Sequence, residues 1–327
     1  MVGKPKLSKF RPDSTECGQR AETSVSQPAI SVLIATRNRP DALVECIESV
    51  LSQEFCDFEL IILDDASDDP LRPIVSPRVD DSRICWIESD TPSGVAGARN
   101  RLVDAANSDI LVFLDDDAVF TGDQNLSEVV REFADNPELG ILAFRISLYS
   151  PDATELQVPF SMRIRKQAPD LTEQRVRASY FVGAAHAIKK SVFDICGRYT
   201  PDLVYGHEEL ELSYAAIDNG FEIVFSSKLR AVHSPMTTLI SNSGGELYFE
   251  VRNRMWIAYR RLPIKYAVPY VLIWLGVYGL RSVKVRRPLV FIRGFLSGSK
   301  AVLRINREPV SNRAIQYLQA NFGRLWY

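Results

Sequence analysis

The chain lacks most of the features that would mark it as secreted, membrane-spanning or bound to nucleic acid. Its five cysteines, Cys17, Cys46, Cys56, Cys85 and Cys196, are scattered and show no C-x-x-C spacing. Neither a disulfide framework nor a zinc site is suggested, and a reducing cytosol is the expected surrounding. Residues 1–28 contain no apolar core of the kind a signal peptide needs and are rich in Ser, Pro, Gln and charge, which predicts a mobile N-terminal tail. The longest apolar run, "AVPYVLIWLGVYGL" at 267–280, is short of the roughly 20 residues of a bilayer crossing. Lys plus Arg number 39 against 41 Asp plus Glu, a net charge of -2, which excludes nucleic-acid binding driven by whole-molecule charge. No G-x-G-x-x-G follows the first strand and no G-x-x-x-x-G-K-[ST] occurs, so dinucleotide-dependent dehydrogenases and P-loop NTPases are excluded. No internal repeat is present.

What remains is ordinary globular material, 46% hydrophobic over 327 residues, enough for one large domain or two unequal ones. "ISVLIA" at 30–35 is a near-continuous apolar run suited to a strand covered on both faces. An amphipathic helix follows from Asp41, with Leu43, Ile47, Val50 and Leu51 at helical spacing. "FELIILDDASDD" (58–69), "SRICWIES" (82–89) and "ILVFL" (110–114) read as further strands, with "SGVAGARNRLVDAA" (93–106) as a glycine turn into a helix. This alternation predicts an α/β fold whose mostly parallel sheet carries helices on both faces. Ligands bind such sheets at the carboxyl ends of the strands. There the sequence places "TRNR" after the first strand, Asp64 and Asp65 after the second, and Asp115, Asp116 and Asp117 after the fourth.

Three consecutive acids at the end of a buried strand repel one another unless a cation neutralises them. Hard oxygen donors clustered in this way suit Mg²⁺ or Mn²⁺ holding phosphates. Farther along, "GHEELELSYAAIDNGFEI" sets acids at the start of a helix, with Gly220 as its stop.

Taken in order, "SVLIATRNRPDAL", "FELIILDDASDD", "GVAGARNRL", "ILVFLDDDAVF" and "GHEELELSYAAIDNGFEI" resemble the family 2 glycosyltransferases over about residues 30–235. The resemblance implies a GT-A fold and inverting transfer of a sugar from a nucleotide-diphosphate sugar. It implies that Ala35, Thr36, Arg37 and Asn38 line the nucleotide. One of Asp64 or Asp65, with Asp65 preferred, would accept the base N–H, and Arg99 would approach the nucleotide or donor. "LDDD" corresponds to the family's D-x-D: Asp117 would ligate Mn²⁺ or Mg²⁺, Asp115 would touch ribose, a bound water or the metal, and Asp116 lies between them at the cofactor. Glu209 stands where the family has its general base, usually an aspartate, with Glu208 orienting it or contacting the acceptor; a glutamate there is one methylene longer. His233, in "RAVHSP", would be a third metal ligand or diphosphate contact. His207 could tune the base, Gly183 and Ala184 would floor the acceptor site, and His186 is read as structural. The three glutamates also enrich a first helical turn, and for Glu211 that dipole role is the expected one.

The implied organisation is a tail (1–28), a catalytic domain (29–240) with a nucleotide-sugar half (29–120) and an acceptor half (121–240), and a basic helical region (241–327). Between Val251 and Arg313 there are fourteen Lys or Arg and one acid, Glu308, around the apolar run. Apolar and aromatic residues flanked by cations suit a segment lying in an anionic membrane interface, at the inner face of the membrane, with contact through 263–300. Pro263 and Pro269 are expected to break any single long helix there. The processive Q-x-x-R-W is absent, "VRNRMW" standing near its place, which predicts transfer of a single sugar to a carbohydrate or lipid-linked acceptor. "FLDDDAV" also fits the opening motif of haloacid-dehalogenase-like phosphatases, but with the second acid pair upstream instead of downstream. A non-catalytic carbohydrate-binding relative is disfavoured by the intact acids.

Overall fold

A computed structural model describes residues 27–149, 155–235 and 245–326. Most of the expected tail and the junction at 236–244 lie outside the described residues. Strands β1 (Ile30–Thr36), β2 (Phe58–Asp64), β3 (Ile84–Glu88) and β4 (Ile110–Leu114) alternate with helices α1 (Pro40–Leu51), α2 (Arg72–Val75) and α3 (Gly94–Ala105). β1 pairs in parallel with β2 and β4, and β2 with β3. The carboxyl ends of all four therefore share one edge.

β5 (Ala118–Phe120), α4 (Asn125–Asp135), β6 (Leu139–Leu148) and β7 (Leu156–Gln157) follow. Next come α5 (Met162–Gln167), β8 (Arg175–Arg177), β9 (Ala185–Lys189), α6 (Lys190–Cys196), α7 (Glu208–Asp218) and β10 (Glu222–His233). The sheet runs β3-β2-β1-β4-β9-β6-β10-β5, with β7 on β6 and β8 on β10. Its second half is mixed, because β9 is antiparallel to β4 and β6 while β10 is parallel to β6.

The period of two along β1 explains the two cores. Ile30, Val32 and Ile34 pack with Leu43, Ile47 and Val50 of α1, whereas Leu33 joins Ala98, Leu102 and Val103 of α3 on the opposite face. Gly220, at φ 90°, follows the last turn of α7 and provides the left-handed stop expected there.

The C-terminal region is helical: α8 (Gly245–Arg261), α9 (Ile264–Lys284), α10 (Pro288–Val302) and α11 (Asn312–Ala320). Of the two expected breaks, the one at Pro263 falls between α8 and α9, and the one at Pro269 is not observed. α9 runs for 21 residues with Pro263 as its N-cap and Pro269 inside it. Pro263 precedes the first helical residue, where a missing N–H costs nothing, and Pro269 sits in the second turn, where it forfeits one hydrogen bond. Glu211 also departs from its expected dipole role, since it is buried and bonded to Arg261 Nη2 at 2.6 Å, joining α7 to α8. Cys46, Cys56 and Cys196 are free, but Cys85 is disulfide-bonded, which the scattered spacing did not suggest.

Candidate active site

The three acids after β4 fall in the tight turn between β4 and β5, and the turn points them in different directions. Asp116 faces inward at 5% exposure, accepting from Thr36 Oγ1 at 2.8 Å and from Arg39 Nη1 at 2.9 Å. Burial, together with the neighbouring Asp117 and Asp115 charges, outweighs Arg39 and lifts its pKa to about 6. Asp117 shares the same Arg39 nitrogen at 2.9 Å and lies 3.2 Å from His233 Nε2. Asp115 is the most open of the three, its side chain 38% exposed, and meets Arg99 Nη2 at 3.1 Å.

His233 reaches this turn because β5 folds back antiparallel on β10 and sets Ala118 opposite His233. Its other nitrogen meets Gln157 Oε1 at 3.0 Å, which fixes the ring. Burial opposes protonation of His233, but the Asp117 hydrogen bond and the Asp115 and Asp117 charges prevail and raise its pKa. One ligand atom each from Asp115, Asp117 and His233 lies within 4.8 Å of the others. Two carboxylate oxygens and an imidazole nitrogen fit a hard or borderline divalent ion such as Mg²⁺ or Mn²⁺.

Arg99, on α3, lies between Asp115 and the two glutamates that open α7. Only 5% of its side chain is exposed, and it contacts Asp115, Glu208 Oε1 at 3.2 Å, Glu209 Oε1 at 3.5 Å and the Gly183 carbonyl at 3.0 Å. Burial works against its charge, yet the surrounding carboxylates hold it protonated and raise its pKa. Glu208 and Glu209 open α7. Glu208 is buried, its Oε2 has no hydrogen-bond partner, and burial followed by the Glu209 charge lifts its pKa to about 8 in spite of Arg99. Glu209 keeps 18% of its side chain exposed. It fits only because residue 183 is glycine: a Cβ there would lie 1.9 Å from Glu209 Oε1.

The nucleotide-side candidates are arranged differently. Thr36 is buried and Ala35 half-buried, while Arg37 and Asn38 are exposed. Asn38, at φ 58°, bonds Ser67 and Asp68 and so joins the loops after β1 and β2. Asp64 accepts from the Ser67 and Leu71 amides, and Asp65 takes four bonds from Ser93 and Gly94, fastening the start of α3. His186 is fully buried, between the Gly183 carbonyl and the Tyr199 hydroxyl, and is stacked on Phe113. Arg39 and Gln157 escaped sequence reasoning. Arg39 belongs to the polar "TRNRP" at a ligand-binding strand end and could have been singled out, whereas Gln157 gives no sequence signal.

Residues 31–196 match the family model described as Glycosyl transferase family 2, and the chain belongs to that family. It is 39% identical over 88 residues to the UDP-Glc:alpha-D-GlcNAc-diphosphoundecaprenol beta-1,3-glucosyltransferase WfaP of Escherichia coli, covering 27% of this chain and 35% of that protein. It is 36% identical over 92 residues to the GalNAc(5)-diNAcBac-PP-undecaprenol beta-1,3-glucosyltransferase of Campylobacter jejuni, covering 28% and 30%. The matched region thus spans about a third of the length of these curated relatives. Among solved structures, the mannosyltransferase PcManGT of Pyrobaculum calidifontis, in complex with GDP-Man and Mn²⁺, superposes with a TM-score of 0.54 at 15% identity, over 96% of this chain and 90% of that one. The architecture is that of the GT-A fold. The phosphatase alternative is not favoured.

Proposed function

We propose that the chain is an inverting glycosyltransferase that moves one sugar from a nucleotide-diphosphate sugar to a hydroxyl of a glycan or lipid-linked acceptor in polysaccharide or glycolipid biosynthesis. The observation that carries this reading is the position of Arg99. One buried guanidinium joins Asp115, from the candidate metal cluster, to Glu208 and Glu209, so the metal-type acids and the base-type acids belong to one site.

In this reading Asp115, Asp117 and His233 hold Mn²⁺ or Mg²⁺, which when bound offsets the negative charge building on the departing nucleoside diphosphate. Glu209 takes the acceptor proton as the acceptor oxygen attacks the anomeric carbon from the face opposite the leaving group. Arg99 fixes both glutamates, and Glu208, its pKa lifted to about 8 by burial, keeps its proton near neutral pH. Arg39 holds Asp116 and Asp117 in place, and the strand-end loops carrying Arg37, Asn38, Asp64 and Asp65 form the nucleotide side.

The relatives from Escherichia coli and Campylobacter jejuni are named for acceptors carried on undecaprenol diphosphates. An acceptor of that chemistry calls for a protein that works at a membrane surface, and the exposed apolar faces of α9 and α10 support that reading. Leu272, Leu280, Val283, Leu289 and Leu296 are all more than half exposed along these two helices. Lys265, Lys284, Arg286, Arg287 and Arg293 surround them, a combination suited to an anionic interface at the cytoplasmic face. Among the described residues α9 is the one helix long and apolar enough to cross a bilayer, by length and composition.

A panel of UDP-, GDP- and dTDP-sugars with Mn²⁺, assayed for release of the nucleoside diphosphate, tests the reading. Asp117→Ala is expected to abolish turnover and metal-dependent nucleotide binding. Glu209→Gln is expected to stop transfer and leave nucleotide binding intact. Wild-type turnover in both variants would overturn the assignment.

A further inference from the structure

The two acids that open α7 follow an unusual turn. Gly206 has φ 74° and His207, the N-cap of α7, has φ 77°. His207 carries a Cβ into the left-handed region, a strained conformation that persists only where the surroundings enforce it. The enforcing group lies on another helix. Asn253 of α8 is fully buried, and its Nδ2 donates to the Tyr205 carbonyl at 3.0 Å and to the Gly206 carbonyl at 2.9 Å. Both amide N–H groups are thereby used. The other end of the amide is also fixed, because Arg252 Nη1 donates to Asn253 Oδ1 at 2.7 Å and to the Asp202 carbonyl at 2.8 Å. Which end is nitrogen therefore follows from the network. Tyr205 adds a hydroxyl contact to Glu246 at 3.3 Å.

We propose that Asn253 is a positioning residue for Glu208 and Glu209, setting the turn from which both carboxylates enter the site and meet Arg99. The inference rests on the reading of that pair as the reacting acids. Asn253 touches neither glutamate and acts through the backbone at 205–207. An aspartate at 253 would keep the size but place carboxylate oxygens against two carbonyl oxygens, so the turn would be released rather than held. Arg252→Gln leaves the amide in place but removes the cation that fixes its orientation. A misplacement of the reacting group by about 1 Å costs on the order of 100-fold in rate.

The test compares Asn253→Asp, Arg252→Gln and Glu209→Gln by steady-state turnover of whichever sugar nucleotide of the panel the wild type uses, and by calorimetry with Mn²⁺ and the matching nucleoside diphosphate. For Asn253→Asp, kcat is expected to fall about 100-fold, with donor KM and nucleoside diphosphate affinity within about twofold of wild type. For Arg252→Gln the fall is expected to be about 10-fold with the same split. An inactive Glu209→Gln beside a wild-type kcat in Asn253→Asp overturns the positioning role and leaves the functional reading standing. A fully active Glu209→Gln overturns that reading, and the inference with it. If a folded Asn253→Asp loses nucleoside diphosphate affinity in step with kcat, Asn253 has only a general structural role. Should Asn253→Asp not fold, Arg252→Gln decides, and an unchanged kcat refutes the proposal.

Discussion

At the scale of single residues, the site is governed by how one cation is shared among acids. Arg99 pairs with one oxygen of Glu208, and the other oxygen has no hydrogen-bond partner. The folded state therefore holds a proton on Glu208 up to about pH 8, against an ordinary value of 4.5 for the free side chain. Between those values the unfolded chain has lost a proton that the native chain keeps. The contribution of Glu208 to stability is thus greatest below the lower value and declines as pH rises across the window. Glu208→Gln, which cannot ionise, is expected to flatten the fall in Tm from about pH 5 to 8; equal slopes in wild type and variant would contradict the assignment. Gly183→Ala tests the other side of the cluster. A methyl group 1.9 Å from Glu209 Oε1 has to displace that carboxylate. The expected result is a loss in kcat of about 100-fold with nucleotide affinity unchanged, and a variant as fast as wild type would show that the position of Glu209 does not matter.

At the scale of elements, the strand-end acids were legible because a period-free apolar run followed by Asp has few other readings in a parallel sheet. β1, β2 and β4 formed where expected and delivered Thr36, Asp64 and Asp115 to one edge. The partners of these acids are legible only through the family resemblance, which sets His233 beside Asp117 and Asp115, and not from any local pattern. His233 meets Asp117 through the antiparallel pairing of β5 with β10, across more than a hundred residues of chain, and no local pattern encodes that register. Glu211 illustrates the same limit. A first-turn acid next to other acids looks like a dipole residue, but α8 packs on α7 and brings Arg261 Nε to 2.8 Å and Arg260 Nη1 to 3.5 Å from it. With 4% and 9% of the two side chains exposed, removing Glu211 leaves the buried Arg261 with only the half-exposed Glu308, 3.2 Å away, as its ion partner. Glu211→Ala is expected to destabilise the protein by about 3 kcal/mol, the lower end for a broken buried pair, and Glu211→Leu combined with Arg261→Met to recover most of that loss. Denaturant titration reads both; a double variant no better than the single one would mean that the ion pair itself, not the stranded charge, is what matters.

At the scale of the whole molecule, the helices beyond the sheet are both scaffold and surface. α8 faces α7 and the turn before it through Asn253 and Arg261, and Arg254, buried at 8% exposure, sits 3.6 Å above the Trp274 ring and bonds the Tyr270 and Tyr278 hydroxyls of α9. The polar and aromatic side of α9 is thus committed to the protein together with Val271 and Leu275, which leaves Val268, Leu272, Val277, Leu280 and Val283 outward. Leu280 is 78% exposed and Leu289, at the start of α10, 67%. An apolar face of this kind beside Arg286 and Arg293 gains from two terms that respond to different conditions. Apolar burial is insensitive to salt, whereas attraction of a Lys or Arg to anionic headgroups, about 1 kcal/mol each, is screened by it. Arg286→Gln with Arg293→Gln is expected to weaken binding to phosphatidylglycerol-containing vesicles by roughly 30-fold at low salt and to change binding to phosphatidylcholine vesicles little. Leu280→Asp with Leu289→Asp is expected to weaken both. Vesicle flotation at two salt concentrations separates the terms, and undiminished flotation of the leucine variant would remove these helices from the membrane surface.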